Sequence, residues 1–159
     1  MLREIAVIDA KHGGYFADRD GDGIPEFITA DWSWAYALSC FACIRYPDVI
    51  LKFDGKAYSP APDLMRTAIA DSTVTSEGAI GEPKQRDQLW SIMLQLIYTG
   101  HATEAWAQFE ACWNDAWGDR RKAMEQFQLI LVKSEWWPTV RQLNAGDPLC
   151  IAINATAEN

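Results

Sequence analysis

The sequence predicts an α+β protein, a small antiparallel β part carrying an acidic hairpin loop and followed by a C-terminal bundle of three to four helices. Three observations predict it. Up to about residue 60, short runs rich in Ile, Val, Phe and Tyr are separated by Gly and Asp, as in strands joined by turns. Beyond it, apolar residues recur at helical spacing. Gly100, Gly118 and Gly146 each close one of these apolar stripes, where a glycine stops a helix. The chain thereby divides into a β part, 1–60, with the acidic loop at 18–26; a helical part packed on it, 61–150; and a flexible tail, 151–159.

Taken in order, residues 3–9 read as a first strand. Tyr15, Phe16 and Ala17 lead into the acidic loop and Glu26 to Ala30 lead out of it, so short strands flank it on both sides. The stretch from Trp32 to Tyr46 fits neither period and is expected to be a short helix or irregular. Val49 to Phe53, Asp54-Gly55, then Lys56 to Tyr58 reads as a β-hairpin on a two-residue Asp-Gly turn of type I′, which demands positive φ. Pro60 and Pro62 end the strand pattern, and Asp63 to about Ile69 reads as a short helix, followed by a polar loop, 71–81. From Pro83 a helix carries the stripe Leu89, Trp90, Ile92, Met93, Leu96 and Ile97 to its stop at Gly100. A second, Thr103 to Trp117, carries Trp106, Phe109, Cys112, Trp113 and Trp117. A third, about Asp119 to Lys133, buries Met124, Phe127, Ile130 and Leu131. A short last helix passes Trp136, Trp137, Val140 and Leu143. The spacing of Gly100, Ala105 and Phe109 recurs at Gly118, Ala123 and Phe127 and resembles a tetratricopeptide unit, but at about half that repeat's period of about 34 residues, so no repeat array is expected.

With 159 residues, 49% hydrophobic and eight of them Trp, the chain has ample material for an ordered core. A net charge of −8 argues against nucleic acid and anionic membrane surfaces, because such partners are held by neutralising their phosphates with Lys and Arg. No apolar run approaches the roughly 18 residues that a membrane span needs. The N-terminal residues lack the basic start and apolar stretch of a signal peptide, so the chain is expected to be either cytoplasmic or a mature form whose leader was removed. Cys40 and Cys43 form a CxxC, while Cys112 and Cys150 stand too far apart to complete a structural zinc site. Small buried residues or an ordinary disulfide are the main expectation; a redox pair or a metal site are the alternatives.

One motif carries chemistry. Asp18, Asp20 and Asp22 alternate in a loop containing Gly21 and Gly23, whose φ freedom lets the backbone curl and turn the three carboxylates inward. Calcium takes six or more oxygens at about 2.3–2.6 Å, mixing carboxylates with backbone carbonyls. The candidate ligands are Asp18, Asp20, Asp22, the carbonyl of Ile24, and Glu26 directly or through water. Crowded carboxylates repel one another unless a cation neutralises them, which favours Ca2+ over a merely solvated turn. An EF-hand would need a bidentate Glu at loop position 12, where this chain has Thr29, and helices on both flanks.

The pattern instead resembles the calcium loop of FG-GAP or VCBS-type repeats, Asp-x-Asp-x-Asp-Gly-x-x-Asp followed by a short apolar strand, with Glu26 in the place of the final Asp and Phe27-Ile28 as the strand. Together with the segments around Tyr15, Phe27, Ala35, Arg45-Tyr46-Pro47 and Asp54-Gly55, it is similar to a group of uncharacterised bacterial exported proteins in which one such calcium hairpin precedes a helical part. The resemblance implies calcium, a β-then-α layout and export to the periplasm or the medium, and implies no reaction. A full propeller would need a far longer chain.

Catalytic signals are weak. The two histidines, His12 and His101, stand in no nucleophile or zincin motif, so an enzyme is the lesser expectation. A binding or structural module with a structural ion is the main one. Trp32 and Trp34, and the pair Trp136-Trp137, either fill the interface between the β part and the helices or, if exposed near Asp22 and Glu26, stack on a carbohydrate or peptide ligand.

Overall fold

The computed structural model describes residues 13–67 and 83–145. The expected strand at 3–9, the loop at 71–81, the tail at 151–159, His12 and Cys150 lie outside them. The β part is a four-stranded antiparallel meander in the order β1 (Tyr15–Ala17), β2 (Glu26–Ala30), β3 (Asp48–Phe53) and β4 (Tyr58–Pro60). Phe16 pairs with Phe27 and Phe27 with Leu51, while Ala17 pairs with Glu26, so the acidic loop connects two strands in direct register. Central β2 is buried from Glu26 through Thr29, which explains its lack of polar alternation.

One expectation about turns is corrected. The β3–β4 hairpin turns on Gly55-Lys56, one residue later than Asp54-Gly55, because the Asp54 carboxylate accepts from the amides of Lys56 (2.8 Å) and Ala57 (2.9 Å) and so takes the first corner of the turn. Gly55 supplies the positive φ of +94°. The uncertain stretch after β2 contains a 3-10 turn, Trp32–Trp34, capped by Asp31, and then irregular turns.

The helical part contains α1 (Pro62–Met65), α2 (Pro83–Ile97), α3 (Ala102–Cys112), α4 (Arg120–Lys133) and α5 (Trp137–Leu143). The first is shorter than expected, ending as Arg66 turns to extended backbone. Gly100 ends α2 at φ +89°, with its own amide bonded to Ile97 and that of His101 to Leu96, a Schellman closure. The expected helix to Trp117 stops at Cys112. Trp113 turns extended, and Asn114 caps a separate 3-10 turn, Asp115–Trp117, through the amide of Ala116. Asp119 caps α4 on the amide of Lys122.

One buried cluster draws on both parts: Phe27, Ile28, Val49, Ile50 and Leu51 from the sheet with Leu89, Met93, Phe109, Phe127 and Leu143 from the helices. Phe127, fully buried, lies 4.6 Å from the ring of Trp34 and 5.5 Å from that of Trp90. Trp34 is fully buried too, as interface filling requires, and each of the eight Trp is buried or half-buried. No helix among the described residues is long and apolar enough to cross a membrane.

Candidate metal centre

The loop from Asp18 to Pro25 bridges the paired ends of β1 and β2 and folds on its own carboxylates. Asp18 accepts from Gly21 (2.7 Å) on one oxygen and from Gly23 (3.0 Å) on the other. Asp20 Oδ1 accepts from Asp22 (3.2 Å), and Asp22 Oδ1 from Ile24 (2.8 Å). Gly21 at φ +78° and Gly23 at φ +83° make this curl accessible. As a result, Asp18, Asp20 and Asp22 each bring a carboxylate oxygen into a group spanning no more than 4.8 Å, the one such group of potential metal ligands among the described residues.

Of the five candidate ligands, then, three converge. Ile24 is half exposed, with its amide on Asp22. Glu26 stands outside the triad, as the first residue of β2, and is fully buried. Its carboxylate is directed back into the loop: Oε2 accepts from the amide of Arg19 at 2.7 Å, while Oε1, buried, has no hydrogen-bond partner. A buried carboxylate oxygen without a partner is costly, and a cation is one partner that would satisfy it. The donor set is all oxygen, which suits a hard cation.

Two residues at the site escaped the sequence reading. Lys52, on β3, places its ammonium 2.8 Å from Asp22 Oδ2 and against Asp20 Oδ2. The hydrogen bonds to Asp20 and then Asp22 raise the Lys52 pKa, and Lys52, followed by the Ile24 amide, holds the Asp22 carboxyl below its ordinary value. A lone Lys in the apolar run Val49 to Phe53 was the only sequence signal, and it needed the strand order to be understood. Tyr58, on β4, donates to the carbonyl of Pro25 at 3.0 Å and fixes the exit of the loop. Asp31, fully buried where β2 ends, accepts on Oδ2 from the hydroxyls of both Tyr98 and Ser134 and on Oδ1 from the amide of Ser33 (2.9 Å). It anchors the strand that leaves the loop to the helices.

The other chemistry-bearing residues settle elsewhere. Cys40 and Cys43 form a disulfide in an exposed turn, and Cys112 is a half-buried free thiol. His101 precedes α3, half-buried, with Nδ1 at 3.2 Å from the Thr99 hydroxyl. No family model matches the chain, and no curated protein or solved structure is significantly similar to it.

Proposed function

We propose that the chain is a calcium-binding protein in which the loop 18–26 holds one ion as a brace between β1 and β2. The observation that carries this reading is the convergence of Asp18, Asp20 and Asp22 in the loop that leads to the buried Glu26, whose Oε1 has no partner. The Asp carboxylates, the Ile24 carbonyl and Glu26 are the proposed ligands, in the manner of an FG-GAP or VCBS-type loop. Their role is structural. The loop closes a hairpin whose second strand enters the core, so an ion there stabilises the sheet without presenting a reactive centre. A site on exposed carboxylates belongs with the weak extracellular class, of dissociation constant about 10⁻⁴–10⁻³ M, which suits an exported module of binding or structural role in the periplasm or outside the cell.

Calorimetric titration of chelator-treated protein tests it. The reading expects one calcium per chain, a much weaker response to magnesium, and no binding by Asp20→Ala. Absence of calcium binding at millimolar concentration overturns it.

A further inference from the structure

Lys52 holds the two carboxylate oxygens of the triad that the loop's own amides leave free. Asp20 Oδ1 and Asp22 Oδ1 are committed to the amides of Asp22 and Ile24, whereas Asp20 Oδ2 and Asp22 Oδ2 both face the ammonium. We propose that Lys52 is the loop's internal cation, which calcium must expel in order to bind, so that this lysine sets the loop's metal affinity and its preference for divalent ions. The inference rests on the calcium reading above and deepens it.

The exchange follows from charge and reach. Four carboxylates belong to the loop, Asp18, Asp20, Asp22 and Glu26, and one ammonium neutralises only one charge. Lys52 bonds to Asp20 and Asp22 and leaves Glu26 Oε1 buried without a partner. A divalent ion carries twice the charge and coordinates six or more oxygens, so it can also engage Asp18 and Glu26, which the ammonium does not satisfy. Both cations cannot share the same two oxygens, because like charges a few ångströms apart repel. A monovalent ion gains no charge over the ammonium that it would replace. Without metal, Lys52 keeps the carboxylates together, so the loop retains its curl in both states. Lys52 is tethered to β3, with Leu51 beside it paired to Phe27 of β2, and its release costs no rearrangement of the sheet.

The test compares the full chain with Lys52→Met and Asp20→Ala by calcium chloride titration, with magnesium and potassium chlorides as controls. Lys52→Met is expected to bind calcium about tenfold tighter than the wild type, or more, and to melt lower than the wild type in chelator. Binding by Lys52→Met when the wild type binds none overturns both the inference and the calcium reading, because calcium then does not expel the lysine from the native loop. Equal or weaker binding by Lys52→Met overturns the inference and leaves the calcium reading intact. Binding by neither protein overturns both. A second readout does not depend on the variant's folding: in the wild type, saturating calcium is expected to shift the side-chain NMR signal of Lys52 from a restrained to a freely rotating ammonium, and an unmoved signal in calcium-loaded protein overturns the inference.

Discussion

Two carboxylates illustrate how burial and partner decide what an acidic residue does in this chain. Glu26 is fully buried with one oxygen unpartnered, so its charge is a cost in the metal-free fold. Glu26→Gln removes that charge while keeping the shape. The account predicts that the variant is no less stable than the wild type in chelator, but that calcium stabilises it by about 1 kcal/mol less, or more, in urea titrations with and without the ion. Asp54 is exposed and its carboxyl is held below the ordinary value, first by the Ala57 amide and then by that of Lys56. With the native value depressed, its contribution is fully present above the unfolded carboxylate value near 3.8 and is lost as pH falls through the native one. Asp54→Asn is therefore expected to flatten the acid limb of stability, read from urea midpoints across that range. The same residue shows why sequence alone misplaced the turn: an Asp before Gly fits either a turn position or a side-chain cap, and only the observed bonds to Lys56 and Ala57 decide between them.

The elements themselves were legible where a single local rule governs. The strands flanking the loop, the start of α4 near Asp119 and the stop of α2 at Gly100 were all visible as residue types at fixed offsets. The end of α3 was not, because Trp113 and Trp117 continue the helical stripe while Asn114 breaks the backbone pattern by capping its own turn. Trp113 stays buried without being helical, and its indole N–H reaches the Gly118 carbonyl at 3.3 Å. Gly100 is constrained twice, by its φ of +89° and by space: a Cβ there would stand 3.0 Å from the carbonyl oxygen of Leu143 and 3.1 Å from the Arg66 guanidinium. That guanidinium donates to the same Leu143 carbonyl at 2.6 Å, so the crowding falls on the contact joining α1 to α5. Gly100→Ala is predicted to cost on the order of 1–3 kcal/mol in urea denaturation, whereas an ordinary exposed glycine at a helix stop would cost about 1 kcal/mol or less.

At the scale of the whole molecule, the β part and the helices meet at Asp31, where Tyr98 follows α2 and Ser134 caps α4, and Trp34 donates to the Tyr98 hydroxyl at 3.3 Å. These residues are far apart in sequence, and no spacing rule links them; the apolar stripes predicted which faces are buried but not which polar groups meet between them. Burial, and then the Asp31 charge, raise the Tyr98 pKa well above its ordinary value near 10. The native state therefore keeps this proton, and stability, full below about pH 10, falls as pH rises above it. Tyr98→Phe is predicted to lower stability at neutral pH by about 1–3 kcal/mol, since Asp31 loses a buried donor, and to lose less than the wild type between about pH 9 and 11. The convergence of Asp18, Asp20 and Asp22 was legible in their alternation, while the pairing of Lys52 with Asp20 and Asp22 was not, because Lys52 lies on β3 and the loop joins β1 to β2. Since the loop joins β1 to the strand that ends at Asp31, an ion bound there stabilises the whole fold by RT ln(1 + [L]/Kd). Thermal unfolding of chelator-treated protein, with and without millimolar calcium and with magnesium as control, tests that claim most directly. The account predicts a calcium-specific rise in Tm of several degrees that Asp20→Ala abolishes; an unchanged Tm, or a rise that survives Asp20→Ala, would contradict it.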